Sequence, residues 1–395
     1  MNQFARPLRP LQCRGDDNVA KRPAVDFIFF DAGGGHRAAA TALDAVIRDQ
    51  SVEWDIRLVD LQDVLVDLDI FRKLTGLGLE DIYNRILENG WTLGSTQLLP
   101  LMHGIIRLYH TAQVRELTKY WSANPPNMVV SLVPNFDRSM WQALQKVNPR
   151  IPFVTVLTDM ADYPPHFWIE RQKQIFICGT DRALQQVREI SPESSAHRVS
   201  GMILNPKFYD ISPVDVSAER RRLGLDPSRP TGVVLFGGMG SKKMDEIFLR
   251  IDKSSLDVQL ILVCGKNEKL RKRLAERPSR IVKFVEGFTR DIPRYMQLAD
   301  FFIGKPGPGS ISEAIHMGLP VIVEKNAWTL PQERFNADWV VEQNVGESLS
   351  SFSEIVPALE RLLAPGRLAQ LQKQVRAINN RAVFEVIDLL KTFVT

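Results

Sequence analysis

The sequence predicts an α/β protein built as two parallel-sheet halves, and three observations carry that prediction. Short apolar runs alternate with longer amphipathic stretches from Val25 onward. A second series of the same kind begins after Pro206. Three Gly-rich turns each stand where an apolar run gives way to a helical pattern, as in strand-turn-helix units of a parallel sheet. The 395 residues suit two domains at about 100 to 200 residues each. Hydrophobic residues make up 44% and charged residues 24%, close to the averages of globular chains, which excludes a fibre or a wholly disordered chain.

Residues 1–24 are polar and rich in Arg and Lys, with no apolar core of the kind a secretory signal needs, and are read as a disordered basic leader. In the first half, 25–204, strands are expected at 25–30, 55–59, 128–132, 153–157 and 174–178, with helices starting near Arg37 and over 138–147 and 182–190. Residues 61–123 break the rhythm and hold no convincing strand. Within them, 96–110 places Leu98, Leu101, Met102, Ile105 and Leu108 on one helical face. Such a helix either packs on its own domain or lies on a membrane, and it is too short to cross one. The boundary falls near 200–210, where Asn205 and Pro206 interrupt the periodicity. In the second half, 205–381, strands are expected at 232–236, 259–264, 281–285, 301–304 and 321–323. The amphipathic end, 382–394, is able to cross back and pack on the first half.

Charge bounds the partners. The net +4 is too small for a nucleic-acid binder, and its excess sits in the leader and the second half, which points to one phosphate-bearing ligand or an anionic surface. Residues 269–283 hold seven basic side chains, either a solvated helix face or a contact with anionic lipid. Cys13, Cys178 and Cys264 show neither a CxxC pair nor metal-ligand spacing, so a reducing compartment without a disulfide framework is expected. No apolar run reaches the length that spans a bilayer. The expected location is the cytoplasm, peripheral on the cytoplasmic face of a membrane.

Chemistry concentrates in the three turns. In DAGGGHR, Asp31 to Arg37, contiguous glycines let a ligand approach the backbone where a helix begins, and His36 projects at the carboxyl end of the sheet. The glycines fit neither GxGxxG nor the P-loop. An imidazole with an ordinary pKa near 6.5 can take a proton from an alcohol at neutral pH. The loop Gly237, Gly238, Met239, Gly240, Ser241 offers backbone amides and a hydroxyl to a diphosphate. In GKPGPGSISE, a rigid loop of Gly307, Pro308 and Gly309 opens a helix at Ser310, and Glu313 either closes a capping box with Ser310 or accepts hydrogen bonds from a ribose. Two such helix starts hold a departing nucleotide diphosphate without a metal ion. The rival metal signal, Asp67 and Asp69, lies in a stretch of regular Leu and Val spacing, and no metal or other cofactor is expected.

Taken together in order and spacing, these motifs resemble the GT-B glycosyltransferases that include monogalactosyldiacylglycerol synthase, the bacterial diacylglycerol glucosyltransferases and, more distantly, the peptidoglycan lipid-linked N-acetylglucosaminyltransferase. The resemblance covers roughly residues 25–380. It implies two Rossmann-like domains facing each other across a cleft, the first binding the acceptor and the second the nucleotide-sugar donor. By that likeness His36 is the catalytic base, and Gly34 and Gly35 belong to the acceptor turn. LTDMADYPPHFW is similar to the family's acceptor stretch, matching Asp159, His166 and Trp168. Asp159 orients His36 or the acceptor, or else caps its own turn. FGGMGS is similar to the donor diphosphate loop; Phe288 would flank the base, Ser310 and its neighbours the phosphates, Glu313 the ribose, and Gln332 with Glu333 the sugar hydroxyls. The segment after the Gly-Leu-Pro turn, with Trp328, departs from the plant-type pattern, and so does 61–123.

The expected function is an inverting, metal-independent transfer of a hexose from a UDP-sugar to a membrane lipid, foremost diacylglycerol, at an anionic membrane surface. The alternatives are N-acetylglucosamine transfer to a lipopolysaccharide or polyprenyl acceptor, a UDP-sugar 2-epimerase of the same fold, and a nucleotide-sugar binder without turnover.

Overall fold

A computed structural model describes residues 22–30, 35–66 and 108–394. Two six-stranded sheets are present among them, and every strand pair is parallel. The first runs in the order β2-β1-β3-β4-β5-β6, from β1 (Ala24–Phe29), β2 (Asp55–Asp60), β3 (Met128–Ser131), β4 (Phe153–Val156), β5 (Ile175–Cys178) and β6 (Ser195–Arg198). The second runs β12-β11-β10-β7-β8-β9, from β7 (Thr231–Leu235), β8 (Gln259–Val263), β9 (Lys283–Glu286), β10 (Phe301–Gly304), β11 (Val321–Glu324) and β12 (Gly346–Leu349).

The inner strands β3, β4, β7, β8 and β10 are buried at every position, because helices cover both faces of a parallel sheet; this is why they read as predominantly apolar runs. Two strands escape the sequence pattern, β6 (SAHR) and β12 (GESL). Both lie at sheet edges, where one side stays wet and no apolar run is required. Gly346 lets β12 dock at all, since a Cβ there would lie 1.9 Å from the Val321 carbonyl oxygen.

The helix Ala382–Phe393 leaves the second half and packs on the first. Ala382, Val383, Val386, Ile387 and Leu390 are buried in the same core as β1, β3 and the helix Gly35–Asp49. Polar contacts fix the crossing: the Ser200 amide donates to Glu385 (2.6 Å), the Arg381 amide to Ser200 Oγ (2.7 Å), and the buried Asn380 side chain to the Met202 carbonyl (2.9 Å). In the other direction, Met160, from the loop after β4, is buried in the core of the second half.

Most of the leader (1–21), residues 96–107 of the amphipathic segment, Asp67, Asp69, Cys13 and Gly34 lie outside the described residues. The described part of 61–123 is helical at Leu61–Val64 and His110–Ala123. Among the described residues no helix is long and apolar enough to cross a membrane, and no group of three or more His, Cys, Asp or Glu is arranged to hold a metal ion. Cys178 and Cys264 are buried free thiols, and burial raises the pKa of each to about 12, which makes them inert.

Because Ile387 fills the first half's core from the far end of the chain, Ile387→Ala is expected to cost about 2–5 kcal/mol of stability in a urea titration. A cost below about 0.5 kcal/mol would show that the terminal helix is only a surface strap.

Candidate active site

In each sheet the first strand lies in the interior: β1 stands between β2 and β3, and β7 between β10 and β8. Right-handed crossovers then carry the chain to opposite faces on either side of that strand, and a crevice opens at the strands' carboxyl ends. The turn after β1 leads to His36, and the two Gly-rich loops of the second half follow β7 and β10. All three motifs therefore stand at switch points.

On the first half, His36 sits in the opening turn of the helix Gly35–Asp49. Its Nδ1 is 2.9 Å from Thr158 Oγ1, in the loop after β4, and its ring centroid is 5.9 Å from that of Trp168. Burial lowers its pKa from 6.5 to about 4, against the opposing pull of a hydrogen bond with the Leu132 backbone. The imidazole is thus neutral throughout the physiological range, rather than poised near pH 6.5. Gly35 is exposed, with open space where a Cβ would be.

The loop 157–170 is built around a residue that sequence reasoning passed over. The buried Asp162 carboxylate accepts from the amides of His166 (2.9 Å) and Trp168 (2.6 Å), while the Gln186 side chain clamps its own backbone. Trp168, wholly buried, donates its indole N–H to Asp159 Oδ2 at 2.9 Å. Burial raises the Asp159 pKa to about 7, with the Trp168 bond and the Lys305 charge opposing and Glu333 adding to the rise.

Two expectations are corrected here. Asp159 is bonded to Trp168, and the side chain that orients His36 is its neighbour Thr158. Trp168 has no surface to offer an acceptor and supports the wall from behind. His166, at φ 65°, directs its Nδ1 to the Ile169 carbonyl (3.2 Å), within its own loop.

On the second half, Gly237 and Gly240 have φ of 72° and 62°, a conformation that side chains resist. They fold the loop 237–241 against the turn after β8, whose Lys266 amide donates to the Gly238 carbonyl at 2.7 Å. Gly238 itself borders open space. Ser241 Oγ accepts from the Lys243 amide (3.2 Å), so its O–H remains able to donate. Met239 and Phe288 stand 45% and 57% exposed, and Lys266 Nζ lies 5.6 Å from the Phe288 ring centre.

The helix after β10 is Pro308–His316, capped by Gly307 without a side-chain bond, so its first amides point outward unclaimed by a cap. The helix begins two residues before Ser310, which overturns the capping-box reading: Glu313 lies beyond the first turn and has no hydrogen-bond or ion-pair partner among the described residues. Burial alone raises its pKa to about 7. The buried Asn336 side chain pins the Pro306 carbonyl at 2.8 Å.

Lys305, given no role by the sequence reading, stands between the two loops. Its Nζ donates to Glu333 Oε1 at 2.8 Å, and Glu333 is only 7% exposed. Gln332 is half-buried beside it. The two halves meet here: Asp159 feels the charges of Glu333 and Lys305, and the Tyr163 and Phe335 rings are 5.9 Å apart. Asp159, next to the Thr158 that meets His36, thus lies against Lys305 and Glu333 at the junction of the two halves.

The basic run 269–283 is largely engaged within the protein. Arg271 pairs with Glu268, Arg273 and Arg277 with Asp245, Arg280 donates to the Asp252 and Leu256 carbonyls, and Lys283 lies 4.7 Å from the Phe248 ring centre.

Residues 233–380 match the glycosyltransferase family 28 C-terminal domain. Monogalactosyldiacylglycerol synthase 1, chloroplastic, of Arabidopsis thaliana is 26% identical over 93% of this chain and 70% of its own length, and the corresponding Spinacia oleracea protein is 26% identical over 94% and 72%. Among solved structures, MurG of Acinetobacter baumannii superposes with a TM-score of 0.59 at 12% identity, covering 94% of this chain and 99% of that one. The calicheamicin glycosyltransferase CalG4 does so with 0.56 at 14%, covering 94% and 98%.

An unpartnered, half-buried carboxyl weakens a fold once it ionises. The pKa of Glu313 is raised from 4.5 to about 7, so its contribution to stability is complete below pH 4.5 and is lost as pH rises through 7. Glu313→Gln is expected to raise Tm by about 2–5 °C at pH 8 and to leave it unchanged at pH 4, read by calorimetry. A destabilised variant at pH 8 would show that the carboxylate has a partner that holds the fold.

Proposed function

Starting from a glycosyltransferase with the GT-B fold, we propose that the chain moves a hexose from a UDP-sugar to the hydroxyl of a membrane lipid, foremost diacylglycerol, with inversion at the anomeric carbon. The observation that carries this reading is the junction of the halves, where Asp159, next to the Thr158 that meets a neutral His36, feels the charges of Lys305 and Glu333 beside the two phosphate-suited loops.

The step follows from the atoms in place. For His36 to act as the base, its single N–H must be the Nδ1–H donated to Thr158 Oγ1, which leaves the lone pair on Nε2 to take the acceptor's proton. The acceptor oxygen bonds to the anomeric carbon, its proton passes to Nε2, and the bond to the diphosphate oxygen breaks. A base with pKa about 4 cannot appreciably deprotonate a free alcohol; proton transfer therefore follows the forming C–O bond, as the hydroxyl grows acidic. On the far side, the amides of 237–241 and of the helix Pro308–His316 receive the growing negative charge. Glu313 accepts from the ribose, Phe288 flanks the base, and Gln332 with Glu333 holds the sugar hydroxyls. No metal ion enters this scheme.

The lipid acceptor rests on the relatives named above and on the amphipathic segment and basic leader of the sequence; Gly35 and the loop around His166 are assigned to the acceptor side. The fold alone leaves epimerisation open, since a protein assigned as a UDP-N-acetylglucosamine 2-epimerase in Listeria monocytogenes also superposes, with a TM-score of 0.57 at 14% identity. Transfer is favoured by the synthase relatives, which match along 93% of the chain.

UDP release from UDP-glucose, UDP-galactose and UDP-N-acetylglucosamine, with and without diacylglycerol in anionic vesicles, tests the reading. Release is expected to need the vesicles, to survive EDTA, and to fall about 100-fold or more in His36→Ala. Release from any of the three donors that ignores both vesicles and His36 would contradict it.

The pH profile adds a second check. His36 loses its basic form only as pH falls through about 4, so the acid limb of kcat/KM is expected below pH 5. Asp159→Asn is expected to cost about tenfold or less, because its carboxyl meets Trp168 and not the base. A limb near 6.5, or an Asp159→Asn loss equal to that of His36→Ala, would make the Asp159 carboxylate the partner of the base.

A further inference from the structure

We propose that Lys305 is the cation that compensates the departing diphosphate, and that Glu333 holds it in reserve until the donor arrives. The inference deepens the transferase reading and rests on it.

Geometry places the ammonium group where both phosphate-suited loops converge. Lys305 directly follows β10, the strand that flanks the switch point with β7. A Cβ added at Gly307 would lie 3.3 Å from Lys305 Cε, 3.4 Å from Ser310 Oγ and 3.6 Å from Glu333 Oε1; one added at Gly237 would lie 3.9 Å from the same Cε. The Lys305 stem therefore lies beside both the loop after β7 and the helix start after β10. An anion held by both sets of amides would lie beside this lysine.

Glu333 explains why the lysine is stable there without a ligand. Its carboxylate is nearly buried, at the first turn of the helix Pro331–Glu342, and takes the lysine at 2.8 Å. A single ammonium cannot satisfy a diphosphate and a buried carboxylate equally. When the diphosphate enters, Lys305 turns to it, and the carboxylate freed from the pair accepts hydrogen bonds from the sugar hydroxyls beside it. Donor binding thus exchanges one partner at each end of the pair, and no buried charge is left alone. The exchange is also felt across the cleft, since Asp159 responds to both charges.

The two members of the pair should then affect UDP in opposite directions, which a merely structural ion pair would not do. The probes are UDP and uridine, with binding measured by calorimetry on the full-length protein and turnover by UDP release. Lys305→Met is expected to weaken UDP at least tenfold, leave uridine unchanged, and lower kcat by about 100-fold. Lys305→Arg should retain most of the UDP affinity. Glu333→Gln removes the competitor, so UDP binds several-fold tighter while KM for the UDP-hexose rises.

Unchanged uridine binding reports that each variant is folded. The proposal is overturned if Lys305→Met binds UDP like the wild type or loses uridine equally, or if Glu333→Gln weakens UDP. The transferase reading fails separately: the UDP pattern would hold, yet the wild-type protein would release no UDP from any of the three UDP-sugars. Turnover by the wild type with UDP affinity unaffected in Lys305→Met would remove the lysine and leave the transferase.

Discussion

A parallel sheet covered by helices on both faces can present a ligand only with the ends of its strands. That constraint organises this molecule twice. In each half the first strand is interior, with neighbours on both sides, so the crossovers part and a crevice opens at its carboxyl end. Whatever chemistry the chain performs must be assembled from turns at those two crevices, and the three Gly-rich motifs occupy them. The glycines are the consequence: a ligand seated at a strand end meets backbone first, and side chains there would keep it away.

The second requirement is that the crevices face each other with their geometry held. The chain ensures this by crossing between halves twice, near Ser200 and again near Asn380, and by lodging the helix Ala382–Phe393 in the first half's core and Met160 in the second's. The loop after β4 is stiffened from within by Asp162, whose carboxylate takes up two of the loop's amides. That loop carries Thr158 and Asp159 to the cleft on a fixed frame. Its Tyr163 meets Phe335 beside the donor loops, so the part of the first half that orients the base is also the part that touches the second half. The cleft gathers carboxyl groups whose burial raises their pKa values, Asp159 and Glu313 among them, a cost to stability that is common where function needs charge out of water.

Legibility in the sequence followed burial. Strands covered on both sides are predominantly apolar runs that can be read directly, as in β1, β7, β8 and β10; the edge strands β6 and β12 carry no such run. Backbone-based motifs were equally visible, because glycine in a strand-to-helix turn has few other uses. Side chains whose role depends on a partner distant in sequence were not. Thr158 gains its meaning only because β4 lies two strands from β1, bringing it to His36 across 122 positions. Asp159 beside it stands out through its match to the family's acceptor stretch, but the fold gives that carboxylate to Trp168. Lys305 stands within a recognised motif whose glycines already account for the loop, so nothing in the sequence marks it out. The capping-box reading of Glu313 failed by two residues, because Pro308 starts the helix earlier than Ser310 would.

The central claim is that the two crevices form one active site with the nucleotide on the second half and the base on the first. A crystal structure of the chain with UDP-hexose bound tests it most directly. The account requires the diphosphate between the loops 237–241 and 307–310, within hydrogen-bond reach of Lys305, with the anomeric carbon turned toward His36. A nucleotide seated at the switch point beside β1, or a sugar directed away from His36, would contradict it.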